Sequence, residues 1–155
     1  MVKIEGFDKL MREHHFFRNM AKESCRILSG CAKNERFDAD ACIIREGDPA
    51  DKFYLIRDGA VALELHMPGK NPIILETLHT GDIFGWSWIV SPYKWSYDAR
   101  AVKPTRLISL EAKCLRKKIK KNHTLGFDLY SQFIPVMGKR LNATRLQMID
   151  IYGKS

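Results

Sequence analysis

Long hydrophobic runs are missing: nowhere does this 155-residue chain approach the ~18 uninterrupted apolar residues of a membrane span. Its start, Met1-Val2-Lys3-Ile4-Glu5-Gly6, lacks the apolar centre of a secretion signal. Neither a membrane role nor export is expected, and the protein reads as cytoplasmic. Paired cysteines are missing too. Cys25, Cys31, Cys42 and Cys114 form no C-x-x-C motif, which argues against a zinc site or a redox pair and reads them as reduced, half-buried thiols. No Ser/His/Asp or paired-carboxylate arrangement stands out, His14-His15 read as solvent-facing, and an enzyme is not expected. Acid is scarce in one place: residues 112–155 hold ten Lys or Arg against only Asp128 and Asp150, whereas residues 1–111 carry 16 of each sign. The net charge of +8 therefore belongs to the C-terminal segment. There Lys113, Arg116, Lys117, Lys118, Lys120 and Lys121 crowd one presumptive helix without aromatics to stack on bases. Specific DNA binding is not expected from it, and an acidic protein surface is the expected partner.

What is present is an ordinary globular composition, 45% hydrophobic and 28% charged, suited to a single domain with its own core. Residues 1–30 read as a helical lead-in: from Phe7 to about Ser29, Leu10, Phe16, Phe17, Met20, Ile27 and Leu28 fall at helical spacing, and Gly30 offers a stop. From Cys31 to Glu111 short apolar runs alternate with turns such as Glu46-Gly47-Asp48-Pro49, Asp58-Gly59, Pro68-Gly69 and Thr80-Gly81-Asp82. Residues 53–65 are expected as a hairpin across Asp58-Gly59. About eight strands at this spacing predict a small antiparallel barrel or double-sheet roll. Residues 112–155 return to helical period, with Leu115 and Ile119 on a helix ending near Asn122-His123 and Thr124 as N-cap of a longer one containing Pro135. On that helix Leu129, Phe133 and Val136 form a stripe for the roll. Ile134, Met137, Leu141, Thr144, Met148 and Ile151 form a coiled-coil-like seam for a second copy of the chain, with packing inside the same domain as the alternative. The fold class is α+β: an eight-stranded antiparallel, jelly-roll-like β-roll with an N-terminal helix, a short pocket helix and two C-terminal helices.

Every tryptophan lies within residues 84–99. Phe84-Gly85 followed by Trp86-Ser87-Trp88 reads as a strand end and a short helix, and Trp95-Ser96-Tyr97 as the entry to another strand. A glycine before a helix start presents backbone N–H groups to an anion, and the aromatic rings supply flat walls for a ring-shaped ligand. The alternative is that these rings fill a corner of the core.

The order of these elements, with Glu46-Gly47-Asp48-Pro49-Ala50-Asp51, Phe53-Tyr54-Leu55-Ile56, Asp58-Gly59 and Gly81-Asp82-Ile83-Phe84-Gly85, resembles the cyclic-nucleotide-binding domain of Crp/Fnr transcription factors and protein kinase A regulatory subunits. The resemblance implies a stand-alone regulatory or sensor domain. The family cassette opens F-G-E-L-A-L and closes R-A-A-T-V. Phe84 and Gly85 match it, but its ribose-binding glutamate falls on Trp86 and its phosphate-binding arginine on Trp95. The implied ligand is a nucleotide-like small molecule other than standard cAMP, with Phe84, Gly85, Trp86, Ser87, Trp88, Trp95, Ser96 and Tyr97 around it; no cofactor is implied with certainty. Lys139-Arg140-Leu141-Asn142-Ala143-Thr144 resembles the family helix that reaches over the base, which adds Thr144 and Arg145. The chain stops where a Crp-type regulator continues into its helix-turn-helix, so no such DNA-binding unit is expected. Cysteine-ligated iron–sulfur chemistry is not expected either, and His79 is the one suggestive haem ligand. A roll with a filled pocket that only binds a protein partner is the competing reading.

Overall fold

The computed structural model describes residues 11, 13, 14 and 16–153, so Phe7 and Leu10 of the expected lead-in helix lie outside the described residues. Phe17 N–H donates to His14 O and Met20 N–H to Phe17 O in successive turns before helix α1, Lys22–Ser29. The expected continuous helix is interrupted at Ala21, whose backbone is extended (φ −56°, ψ 140°). Packing supplies the reason: neighbouring Phe16 and Phe17 are both buried, Phe16 against Phe53 and Phe133, while α1 separately buries Cys25 and Leu28.

Strands β1 (Ala32–Phe37), β2 (Cys42–Ile44), β3 (Lys52–Asp58), β4 (Ala60–Leu65), β5 (Ile73–His79), β6 (Ile83–Phe84), β7 (Asp98–Ala101) and β8 (Thr105–Glu111) follow. They form two antiparallel sheets, β1-β8-β3-β6 and β2-β7-β4-β5, which is the roll expected from the strand spacing. The charged β1 takes an edge, where a half-solvated strand belongs; the apolar runs of β3 and β8 sit inside the same sheet. The expected 53–65 hairpin does not form. β3 pairs with β8 and β6, β4 pairs with β5 and β7, and Asp58-Gly59 hands the chain from one sheet to the other. A type I′ hairpin turn needs two left-handed residues, and here Gly59 (φ +121°) is left-handed while Asp58 is not. Gly59 also lies against Thr105: a Cβ there would stand 2.8 Å from the Thr105 Cα.

Reading all four cysteines as reduced thiols is corrected for two of them. Because β1 pairs with β8 with Ala32 opposite Leu110, Cys31 at the head of β1 meets Cys114 just past the end of β8, and the two form a disulfide across 83 residues. Cys25 and Cys42 take no part in it.

Helix α2 spans Ala112–Lys121 and helix α3 spans His123–Gly153, with Pro135 inside it. The cap of α3 is Asn122 rather than Thr124: the Asn122 Oδ1 accepts the Leu125 N–H at 3.1 Å, and Thr124 already lies within the helix. The stripe expected to face the roll does so. Leu125, Leu129 and Phe133 are buried, Val136 is packed against the core, and Phe133 meets Phe16, Phe53 and Trp88 at ring-centroid distances of 5.1, 5.0 and 6.0 Å. This aromatic cluster anchors the first half of α3. Beyond it the helix is tied to the roll by polar contacts, with Gln147 Nε2 donating to Leu75 O of β5 at 3.0 Å.

Candidate functional site

Between the β2-β7-β4-β5 sheet and the second half of α3 lies a cavity of about 630 Å³. Leu63 and Leu75 come from the sheet, Trp86 and Tyr97 from the aromatic stretch, and Ile134, Met137, Leu141 and Thr144 from α3. Its walls are thus mainly apolar, and its volume is in the ~300–1,000 Å³ range of small-molecule sites. Glu76 and Arg140 are the charged residues that line it.

Local chain geometry explains how Trp86 and Tyr97 reach this space. Gly85 is left-handed (φ 95°, ψ 46°), a conformation that favours glycine, and it turns the chain from β6 into a single 3-10 turn at Trp86–Trp88. The Trp95 ring lies over that glycine: a Cβ on Gly85 would stand 3.0 Å from its Cη2 atom. Gly85 N–H donates to the Tyr97 hydroxyl at 3.3 Å, which fixes the buried phenol at the cavity wall. Burial pushes the Tyr97 hydroxyl above its ordinary pKa, against the pull of nearby Arg140, so it stays neutral and keeps a proton to donate. The helix N-terminus expected at this point as an anion site is the start of that 3-10 turn. One 3-10 turn has no macrodipole to speak of, and the Gly85 N–H is already committed to Tyr97.

The residues singled out from sequence separate into groups. Trp86, Tyr97 and Thr144 line the cavity. Phe84 is buried and stacks on Tyr54 at 4.9 Å, Ser87 is buried, and Trp88 is a core residue stacked on Phe53 at 5.8 Å. Trp95 is buried on Gly85 and borders a different, polar hollow with Glu35, Lys52 and Tyr54. Ser96 and Arg145 are exposed and away from the cavity; Arg145 is one residue, about 100°, round the helix from Thr144. His79 is exposed at the end of β5, its backbone N–H bonded to Asp82, and does not line the cavity.

Arg140 was not among the residues singled out, although it lies four before Thr144 and so on the same helical face. Its side chain is only 16% exposed. Nη2 donates to Ile83 O, Nε approaches Glu76 at 3.5 Å, and Nη1 is buried without an acceptor. The basic helix also turns out to be partly structural. Arg116 donates to Trp88 O at 2.6 Å and lies 4.8 Å over the Tyr93 ring, and Lys118 donates to Ile27 O at 2.8 Å, its pKa pushed down by burial and then by Arg26.

A family model of the cyclic nucleotide-binding domain matches residues 34–122. The CRP-like cAMP-activated global transcriptional regulator of Mycobacterium tuberculosis is 22% identical over 144 residues, 93% of this chain and 62% of its own length. The chain thus spans less than two thirds of that relative. Among solved structures, a cyclic nucleotide-binding domain from Methylobacillus flagellatus superposes with a TM-score of 0.73 at 22% identity, covering 98% of this chain and 84% of that one. The sensor domain of the transcriptional regulator DNR from Pseudomonas aeruginosa does so with a TM-score of 0.72 at 22% identity, covering 92% and 95%. These likenesses carry the fold, and the family model carries the sequence: it runs from β1 through the glycine turns and the aromatic stretch to the end of α2, more than half of the chain, and places this protein in the cyclic nucleotide-binding domain family.

Proposed function

We propose that the chain is a regulatory sensor domain that takes a ring-bearing small molecule other than cAMP or cGMP into the cavity beneath α3, and that it works as a homodimer through that helix. The open cavity carries this reading. In a roll that had become a scaffold, the indoles would close the pocket; here Trp95 packs down on Gly85, but Trp86 borders about 630 Å³ of open space. The preference against cyclic nucleotides follows from the two tryptophans in the cassette. At the glutamate position Trp86 offers one indole N–H and no acceptor for a ribose hydroxyl, and at the arginine position Trp95 offers no charge for a phosphate. A phosphate lodged at the cassette, beside Trp95, is buried without a charge-assisted partner at that position, at a cost of several kcal/mol.

The homodimer rests on the exposed apolar face of α3, where Ile134, Leu141, Met148 and Ile151 are 67%, 52%, 51% and 70% exposed, the first two also lining the cavity. A second α3 covering that face removes an apolar seam from water at ~25 cal/mol per Å². Among the described residues no helix is long and apolar enough to cross a membrane. Calorimetric titration with cAMP and cGMP tests the ligand preference. Binding no tighter than about 100 μM is expected, roughly −5.5 kcal/mol, and micromolar affinity for either nucleotide overturns the reading of Trp86 and Trp95.

A further inference from the structure

The cavity is lined by a cation, Arg140, whose hydrogen bonds are incomplete. Resting on the ligand-sensing reading above, we infer that the ligand carries an anionic group and that Arg140, on α3 rather than in the cassette, is the residue that holds it. The ligand class is a flat, mostly apolar ring compound with one carboxylate or sulfonate.

Hydrogen-bond accounting supplies the argument. A guanidinium has five N–H donors and cannot shed its charge, so a largely buried one needs acceptors on each nitrogen. Arg140 has a neutral carbonyl, Ile83 O, on Nη2 and a long 3.5 Å approach to Glu76 on Nε, while Nη1 is enclosed with no acceptor. Glu76 is itself 41% exposed, so it gives up little by turning outward to water. A ligand anion arriving from the cavity takes over the place of Glu76, and a small rotation of the guanidinium brings Nη1 onto it. The Tyr97 hydroxyl, also at the wall, is a neutral donor suited to the same oxygen atoms. The rest of the ligand meets Leu63, Leu75, Trp86 and Met137, which accept a ring and offer little to a hydroxyl-rich sugar. Because Arg140 is on α3, the anion binds to the element that also carries the proposed dimer face.

Two fluorescent probes with the same ring system separate charge from shape: 8-anilinonaphthalene-1-sulfonate, an anion, and N-phenyl-1-naphthylamine, which is neutral. Both are titrated into the full chain and into R140Q, R140K, E76Q and A143W, the last placing an indole in the cavity. The sulfonate is expected to bind roughly tenfold more tightly than the amine, as a charge-assisted contact requires. R140Q removes that advantage and leaves the amine unchanged, R140K keeps most of it, and E76Q strengthens the sulfonate severalfold by removing its competitor. A sulfonate advantage that persists in R140Q, while A143W still abolishes binding of both probes, overturns the role of Arg140 and leaves the cavity standing. Binding of neither probe, or binding that A143W does not weaken, removes the cavity reading and this inference together. Should R140Q fail to give a cooperative melt, E76Q decides, since unchanged sulfonate affinity there sinks the proposal.

Discussion

Gly85→Ala should be more damaging than a surface glycine substitution, and the damage should depend on Trp95. At φ 95° a residue with a Cβ pays about 1–2 kcal/mol for the left-handed backbone alone. The added methyl also meets Trp95 Cη2 at 3.0 Å, Trp95 Cζ3 at 3.2 Å and Lys52 O at 3.3 Å. The indole is buried, so overpacking against it adds about 1–2 kcal/mol. The total is about 2–4 kcal/mol, roughly 5–15 °C in Tm for a domain of this size. W95L is itself destabilising, by about 2–4 kcal/mol, because it leaves a void. In that background the methyl has no ring to strike, and G85A should cost only the backbone part and the contact with Lys52 O. The coupling in the double-mutant cycle is therefore about 1–2 kcal/mol, measured by urea unfolding followed by far-ultraviolet circular dichroism. Equal costs of G85A in both backgrounds would refute the idea that the glycine is required by the tryptophan above it.

The exposed seam predicts that Met148→Glu, which lies outside the cavity, shifts the chain to monomer in sedimentation velocity while the far-ultraviolet spectrum is kept; a persisting dimer removes the seam from the argument. The Cys31–Cys114 bridge spans 83 residues, so reducing it should lower stability by about 4.5 kcal/mol at the chain-entropy limit. Alkylation of the unfolded chain should tag Cys25 and Cys42 before reduction and all four cysteines after it; four tags without reductant exclude the bridge. With Arg116 engaged by Trp88 and Lys118 by Ile27 of α1, α2 should bind DNA only weakly, without sequence preference, and with steep loss as salt rises; submicromolar, sequence-dependent anisotropy at ~150 mM salt would reverse that expectation.

Strand spacing, the glycine turns and the helical periods of the C-terminal segment were legible in the sequence because each is set by neighbours a few residues apart. The stripe Leu129, Phe133 and Val136 needs only the helical repeat to be recognised. So does the break between α2 and α3, though not which side chain caps it: Asn122 and Thr124 are both good caps, and the backbone geometry chose between them. The aromatic stretch was recognisable as important, yet its division was not. Trp88 went to the core, Trp95 onto Gly85 and Trp86 to the cavity, because each ring's direction depends on Phe53, on the left-handed glycine and on α3. Distance along the chain marks the rest. β3 and β4 are adjacent in sequence but belong to different sheets, since two continuous apolar runs fit the middle of either one, and their partners lie up to 59 residues away in pairs such as Lys52 with Glu111. Cys31 finds Cys114 only because β1 lies beside β8. Arg140 finds Ile83 and Glu76 only once α3 has folded back over the roll, and a charge gains its meaning from acceptors that no local pattern supplies.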